Sequence, residues 1–256
     1  MFEDNRVYEC EYRVRCNEVN RHGDVRADTL FDYFQEAANI HAEMLGCGFE
    51  ALMKSRLAWV LSRIRLDVLR TPRIGDTLNL RTWPSGFRRL YAVREALFQD
   101  ADGELARLTS YWVLLDIDRM RPMRLPESLP VTLPDNSDLP QYFDLGGRLA
   151  ASETEHPMRL IVPEHFIDIN GHANNARYWT LVSDWLSRET GSPQRISTLS
   201  GHFLKETTAW TDVAVSGNIR DDGSFSVQVS DADGEKNVHF IAEGRVSFQP
   251  GQCGGL

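Results

Sequence analysis

Between Asp168 and Asn175 the chain places one Asp, one His and three Asn in eight residues (DINGHANN), and an apolar run at helical spacing follows to Trp185. Polar and ionisable groups crowded at the start of a helix meet unpaired backbone N–H groups and the positive end of the helix dipole. Such a set suits acyl transfer to water. Asp168 offers a general base or an attacking carboxylate. Asn170 would position water or a carboxylate, and His172 would share a proton or orient the acyl group. N–H groups near Asn174 and Asn175 suit a developing oxyanion. The bland counterpart is that Asp and Asn before a helix cap it, and Asn174 or Asn175 is expected to do so. Tyr178, Trp179 and Trp185 read as core.

The elements that must position this cluster follow from periodicity and turn residues. Val7 to Cys16 has strand composition. Asp28 is placed to cap a helix whose apolar face is Leu30, Phe31, Phe34, Ala37, Ala38, His41 and Leu45, with Gly46 and Gly48 stopping it. From Trp59 to Leu69 the chain alternates as a strand, with Val60, Ile64, Leu66 and Val68 on one face. Thr77–Trp83, Leu90–Phe98 and Leu105–Asp116 read as further strands, the last two joined at Asp102-Gly103. Five of the eleven prolines then fall within residues 122–140, which reads as a linker, with a domain boundary near Gly146. The expected domains are 1–145 and 146–256. In the second, strand-like Met158–Val162 precedes a helix from Asn175 to Arg188, and strands follow near 198–205, 213–219, 225–230 and 238–248. The terminal GQCGGL reads as a frayed tail.

The second half repeats the first. Asn20–Asp24 (NRHGD) aligns with Asp168–His172 (DINGH) at an offset of 148, Gly75-Asp76 with Thr211-Asp212 at 136, and DADGE at 100–104 with DADGE at 231–235 at 131. An internal duplication of a helix followed by antiparallel strands is the result. Two curved sheets, each wrapped round its long helix, are expected to pair edge to edge into one continuous sheet, a dimer fused in one chain. Two symmetric sites would follow, but the first copy has Asn20 where the second has Asp168, and Asp24 where the second has His172. At the offset of 136, Glu206 aligns with Arg70. One working site is therefore expected, in the C-terminal half, with the N-terminal half shaping the substrate pocket.

Bulk properties narrow the class. A net charge of −9 argues against general nucleic-acid binding. No apolar run approaches the ~20 residues of a membrane span, and the charged start MFEDNRVYEC lacks a signal-peptide core. Cys10, Cys16, Cys47 and Cys253 form no C-x-x-C pair, which argues against zinc, and free thiols fit the cytoplasm. Lys54 to Arg94 holds ten basic and two acidic residues, net +8, which leaves −17 for the remainder. That segment is either a docking face for an acidic partner, with Arg88 and Arg89 as contacts, or the solvated side of exposed strands.

The chain resembles the acyl-ACP thioesterases. In the N-terminal half the likeness rests on LFDYFQEAANIHAEMLG, WVLSRIRLDVLRTPRIGDTLNLRTWPSG and SYWVLLDIDRMRPMRLPE, and in the C-terminal half on DINGHANNARYWTLVSDW and FLKET. The resemblance implies an α+β double hot-dog fold and hydrolysis of the thioester between a fatty acyl chain and acyl carrier protein, with no metal or other cofactor. It implies catalytic roles for Asp168, Asn170 and His172 of D-x-N-x-H, and for Glu206 of FLKET. Some members carry Cys after that Glu; here it is Thr207, so the resemblance excludes a cysteine nucleophile. The D-x-x-G-H-x-N-N-x-x-Y pattern is also similar to 4-hydroxybenzoyl-CoA-type thioesterases, which are single hot-dogs. An acyl-CoA thioesterase, a 3-hydroxyacyl dehydratase and a non-catalytic acyl-binding protein are the alternatives. The chain would act as a monomer or a homodimer.

Overall fold

The structure, a computed structural model, describes residues 5–150, 157–233 and 237–247. It divides into two units, Met1–Val19 with Gly23–Arg148, and Asn20–His22 with Leu149–Leu256.

The first unit holds β1 (Tyr8–Arg13), α1 (Ala27–Met44), a short α2 (Phe49–Lys54), β2 (Leu57–Val68), β3 (Thr77–Arg88), β4 (Tyr91–Asp100), β5 (Gly103–Asp116) and β6 (Arg121–Pro122). Its antiparallel sheet has the order β1-β3-β4-β5-β2, with β6 on β5. Leu30, Phe31, Phe34, Ala37, Ala38 and His41 form the buried stripe of α1, which packs on β1 and β3. Each such large apolar side chain taken from water contributes about 1.5–3 kcal/mol. Asp28 lies in the first turn of α1 rather than at its cap. Arg26 is the cap residue, and its guanidinium Nε bonds the Asp28 carboxylate at 3.1 Å.

Two expectations fail here for physical reasons. Strict alternation along β2 puts Val60 inside, yet Val60 is 37% exposed and Leu61 is buried. The register with β5 shifts between Leu61 and Arg63, and this bulge reverses the inward phase before Ile64 and Leu66. The proline-rich stretch is not a spacer but a strap packed on the sheet. Leu125 and Leu129 join Leu57, Ala92 and Leu114, while Leu145 packs on Val93 and Tyr111. Tyr142 and Phe143 donate backbone N–H groups to Glu95 and Thr109. Prolines bar ladder hydrogen bonds but not burial.

The second unit holds β7 (Met158–Ile161), α3 (Asn175–Thr190), β8 (Arg195–Phe203), β9 (Asp212–Ile219), β10 (Ser224–Asp231) and β11 (Val238–Ser247). Its sheet order is β8-β11-β10-β9-β7, the first unit's order strand for strand. Tyr178, Leu181, Val182 and Trp185 are buried on α3 as expected. Gly217 of β9 seats the helix: a Cβ there would come within 2.8 Å of the Trp185 ring. The fold is a tandem hot-dog. The second DADGE hairpin lies partly outside the described residues, as does the GQCGGL tail. No helix among the described residues is long and apolar enough to cross a membrane.

Candidate active site

Both sequence repeats enter their long helix through the same turn. In the first, a 3-10 turn (Cys16–Glu18) leads to Asn20, whose Oδ1 accepts the His22 N–H at 2.8 Å, and then to Gly23 at φ +78°. In the second, a 3-10 turn (Glu164–Phe166) leads to Asp168, whose Oδ1 accepts the Asn170 N–H at 2.8 Å, and then to Gly171 at φ +81°. A glycine suits the left-handed step in each. The Asp168 loop is closed further by Asp168 N–H to His172 O (2.9 Å), and the Asn170 amide also reaches Asp168 Oδ2 at 3.3 Å. Asp168 therefore carries a turn that an amide also supports; what distinguishes it from Asn20 is its ionisable carboxyl.

The chemistry diverges one residue beyond each glycine. Asp24 is buried and pairs with Arg73 at 2.9 Å. His172, in its place, presents Nε2 to Glu206 Oε2 at 2.9 Å. The Glu206 side chain is 53% exposed and His172 34%, so this imidazole–carboxylate pair stands open to solvent. The structure thus joins His172 to Glu206 and Asp168 to Asn170, as two pairs at the ends of one five-residue loop.

Asn174 is the helix cap: its Oδ1 accepts the Ala176 N–H at 2.8 Å. Its own N–H goes to Phe166 O at 2.8 Å, and the Ala173 N–H goes to Thr207 O at 2.7 Å. The oxyanion role expected of the Asn174 amide is not supported, because that donor is spent in closing the loop. Asn175 is the first residue of α3. The positive end of α3 still lies beside the two pairs.

The repeat also needs a shift of one residue. Leu69 and Arg70 both donate N–H groups to Leu105 O (2.8 and 3.1 Å), and Leu204 and Lys205 donate identically to His239 O (2.8 and 3.1 Å). Val25 N–H bonds Pro72 O where Ala173 N–H bonds Thr207 O. Lys205 therefore takes the place of Arg70, Glu206 that of Thr71 and Thr207 that of Pro72. The side chains agree: Arg70 pairs with Asp100 at 2.8 Å, and Lys205 approaches Asp231 at 3.9 Å.

Behind Glu206 runs a chain of polar groups that sequence reasoning missed. Tyr178 Oη lies 2.8 Å from Thr207 Oγ1, which lies 2.6 Å from His239 Nδ1; His239 Nε2 lies 2.7 Å from Asp231 Oδ1. The Asn237 amide and the His239 ring hold the Asp231 carboxyl below its usual range, against the opposing effect of burial. Nothing in spacing signals it, since the four residues come from α3, a loop and two strands.

The basic segment is largely neutralised within the first unit. Arg56 pairs with Asp118, Arg65 with Asp67, Arg70 with Asp100, Arg73 with Asp24 and Arg81 with Glu9. Arg88 clips the β3–β4 hairpin to the strap through Asp144 and Gln141, both at 3.1 Å. Arg89 is exposed at the hairpin tip, at φ +57°. A cleft of about 350 Å³ on this unit is lined by Arg81, Trp83, Leu97, Glu104, Arg107 and Tyr142, among others, and by none of the catalytic candidates.

Fold and site together define a tandem hot-dog protein whose second unit carries an imidazole–carboxylate centre. Residues 5–131 match the model of the acyl-ACP thioesterase N-terminal domain. The chain is 29% identical over 204 residues to a palmitoyl-acyl carrier protein thioesterase of Gossypium hirsutum, covering 71% of this chain and 48% of the relative. It is 24% identical over 227 residues to an oleoyl-acyl carrier protein thioesterase of Coriandrum sativum, covering 80% and 60%. It thus spans about half of the curated relatives' length. The crystal structure of an acyl-ACP thioesterase from Bacteroides thetaiotaomicron superposes with a TM-score of 0.85 at 22% identity, covering 96% of this chain and 100% of that one. A 12:0-ACP thioesterase from Umbellularia californica superposes at 0.77 and 21% identity, covering 94% and 97%. The likeness to acyl-ACP thioesterases thus runs over residues 5–131 in the family model and over 71–80% of the chain in these relatives.

Proposed function

We propose that this protein hydrolyses the thioester of fatty acyl groups carried on acyl carrier protein, releasing the free fatty acid and ending chain elongation. The observation that carries this reading is the His172–Glu206 pair at 2.9 Å, on the same loop as the Asp168–Asn170 pair and beside the start of α3. Water attacks the acyl carbonyl as the carboxylate–imidazole pair takes its proton. The C–S bond breaks, and the same pair returns a proton to the leaving thiolate, giving acid and thiol. Negative charge developing on the carbonyl oxygen is favoured by the helix dipole. Asp168, gripped by both donors of Asn170, is the second carboxylate and orients the water. The first unit, whose counterpart pair is the closed Asp24–Arg73 salt bridge, serves binding rather than chemistry.

The carrier offers an acidic partner for Arg88 and Arg89 at the β3–β4 tip. Free thiols at Cys10, Cys16 and Cys47 support a reducing, cytoplasmic setting. The test is thiol release from a panel of acyl-ACPs of different chain length beside the matching acyl-CoAs. Preferential turnover of acyl-CoA would transfer the reading to that carrier. Loss of water from 3-hydroxyacyl thioesters without thiol release would replace it, and binding without turnover would end it.

A further inference from the structure

We propose that Thr207 is a positioning residue for the Glu206–His172 pair, held from behind by the buried His239 and its partner Asp231; this rests on the catalytic reading of that pair. Thr207 sits at a crossing of bonds. Its carbonyl accepts the N–H of Ala173, the residue after His172, at 2.7 Å. Its hydroxyl meets Tyr178 of α3 and His239 of β11. It directly follows Glu206. One residue thereby ties together both partners of the pair, the helix and the sheet.

The Asp231 carboxylate only accepts, so with a neutral His239 ring Nε2 carries the hydrogen and Nδ1 is the acceptor. Thr207 must then donate to Nδ1, and its oxygen accepts from the Tyr178 hydroxyl. Every donor has an acceptor, and the threonine has a single allowed rotor. The order Asp–His–Thr matches that of a hydroxyl nucleophile activated by a base. Thr207 is nonetheless 2% exposed, and its oxygen is bonded on both sides. It therefore orients and does not attack.

The first unit shows that the fold does not require this chain. The backbone hydrogen bonds place Leu105 where His239 stands and Pro72 where Thr207 stands, and the offset of 148 sets Leu30 against Tyr178. Leu30 and Leu105 are buried at 2% and 1%. Three apolar positions of the silent copy are polar in the copy that carries the ionisable pair. Burying polar groups costs free energy even when they are bonded, so apolar residues suffice for stability alone. A partly satisfied version would cost more, which explains why these three positions differ together.

The experiment compares Thr207→Val with Thr207→Ser. Valine keeps the shape and removes the hydroxyl; serine keeps the hydroxyl. With Val, kcat on acyl-ACP is expected to fall about 10–100-fold, by analogy with partners that orient metal-ligating side chains, with KM within about twofold. Ser is expected to recover most of the loss. A crystal structure of the Val variant should show the His172–Glu206 contact opened. An unchanged kcat with the contact intact would overturn the inference, and so would a Ser variant as impaired as Val. If Val fails to fold, Asp231→Asn acts from the far end of the chain and is read in the same ways. A wild-type protein with no thiol release would instead sink the catalytic reading, and the contact in the variant crystal would still decide this one.

Discussion

His172 and Glu206 meet at 2.9 Å although a loop before α3 carries one and a loop after β8 carries the other. The two loops are joined beside the pair by the Ala173 N–H to Thr207 O bond. The contact is thus a consequence of how the chain leaves the sheet and re-enters at the helix start. Removing either partner leaves the other without its orienting group. Glu206→Gln and His172→Ala are each expected to lower kcat about 10²–10⁴-fold, and the double variant to lose little more than the worse single one. Additive losses in single-turnover assays would show that the two act separately.

Asp168 shares its turn geometry with Asn20, so Asp168→Asn preserves the loop. Thermal midpoint is expected to stay within about 2 °C of wild type, since surface changes lie within about 0.5 kcal/mol. Turnover is expected to fall about 10²–10⁴-fold. Unchanged thiol release by a folded variant would remove Asp168 from the chemistry.

Arg88 and Arg89 differ in commitment. Arg88 is bonded to Asp144 and Gln141, whereas Arg89 is carried outward on the tip of the hairpin. Arg89→Glu is expected to raise KM for acyl-ACP and to reduce its dependence on salt, with kcat unchanged. KM unaltered across a salt series would assign the tip to solvent instead.

Glu95 is fully buried on β4, and burial pushes its carboxyl up to about 7 despite bonds from Thr109, the Tyr142 N–H and Ser85. A carboxyl raised in the fold binds more protons folded than unfolded. Its contribution to stability is therefore full below the unfolded value near 4.5 and is lost as pH rises to about 7. Glu95→Gln mimics the protonated form. Between pH 4 and pH 8 the stability of Gln relative to wild type is expected to rise by roughly 3 kcal/mol. Denaturant curves at both pH values measure it; a difference independent of pH would place the titration elsewhere. His41 acts in the opposite sense: burial, then Arg94, lowers it to about 4, so its contribution is lost on acidification. Only the comparison with the Gln variant isolates Glu95.

What the sequence determined was local. Helical spacing marked the buried faces of α1 and α3. Turn residues marked the hairpin at Asp102-Gly103, and the crowding of Asp168, Asn170 and His172 marked the loop. Comparing the halves identified the copy without the Asp–His pair. These follow because period, cap and turn are set by neighbours within a few residues.

The tertiary structure decided the partners. It set Glu206 against His172, shifted the repeat so that Lys205 rather than Glu206 replaces Arg70, and laid the proline-rich strap on the sheet. It also assembled Tyr178, Thr207, His239 and Asp231 into one chain of bonds. A slip of one residue in a strand turns its side chains to the other face. Loop lengths and the bulges at Leu61 and Val229 set that phase, and spacing alone does not carry it.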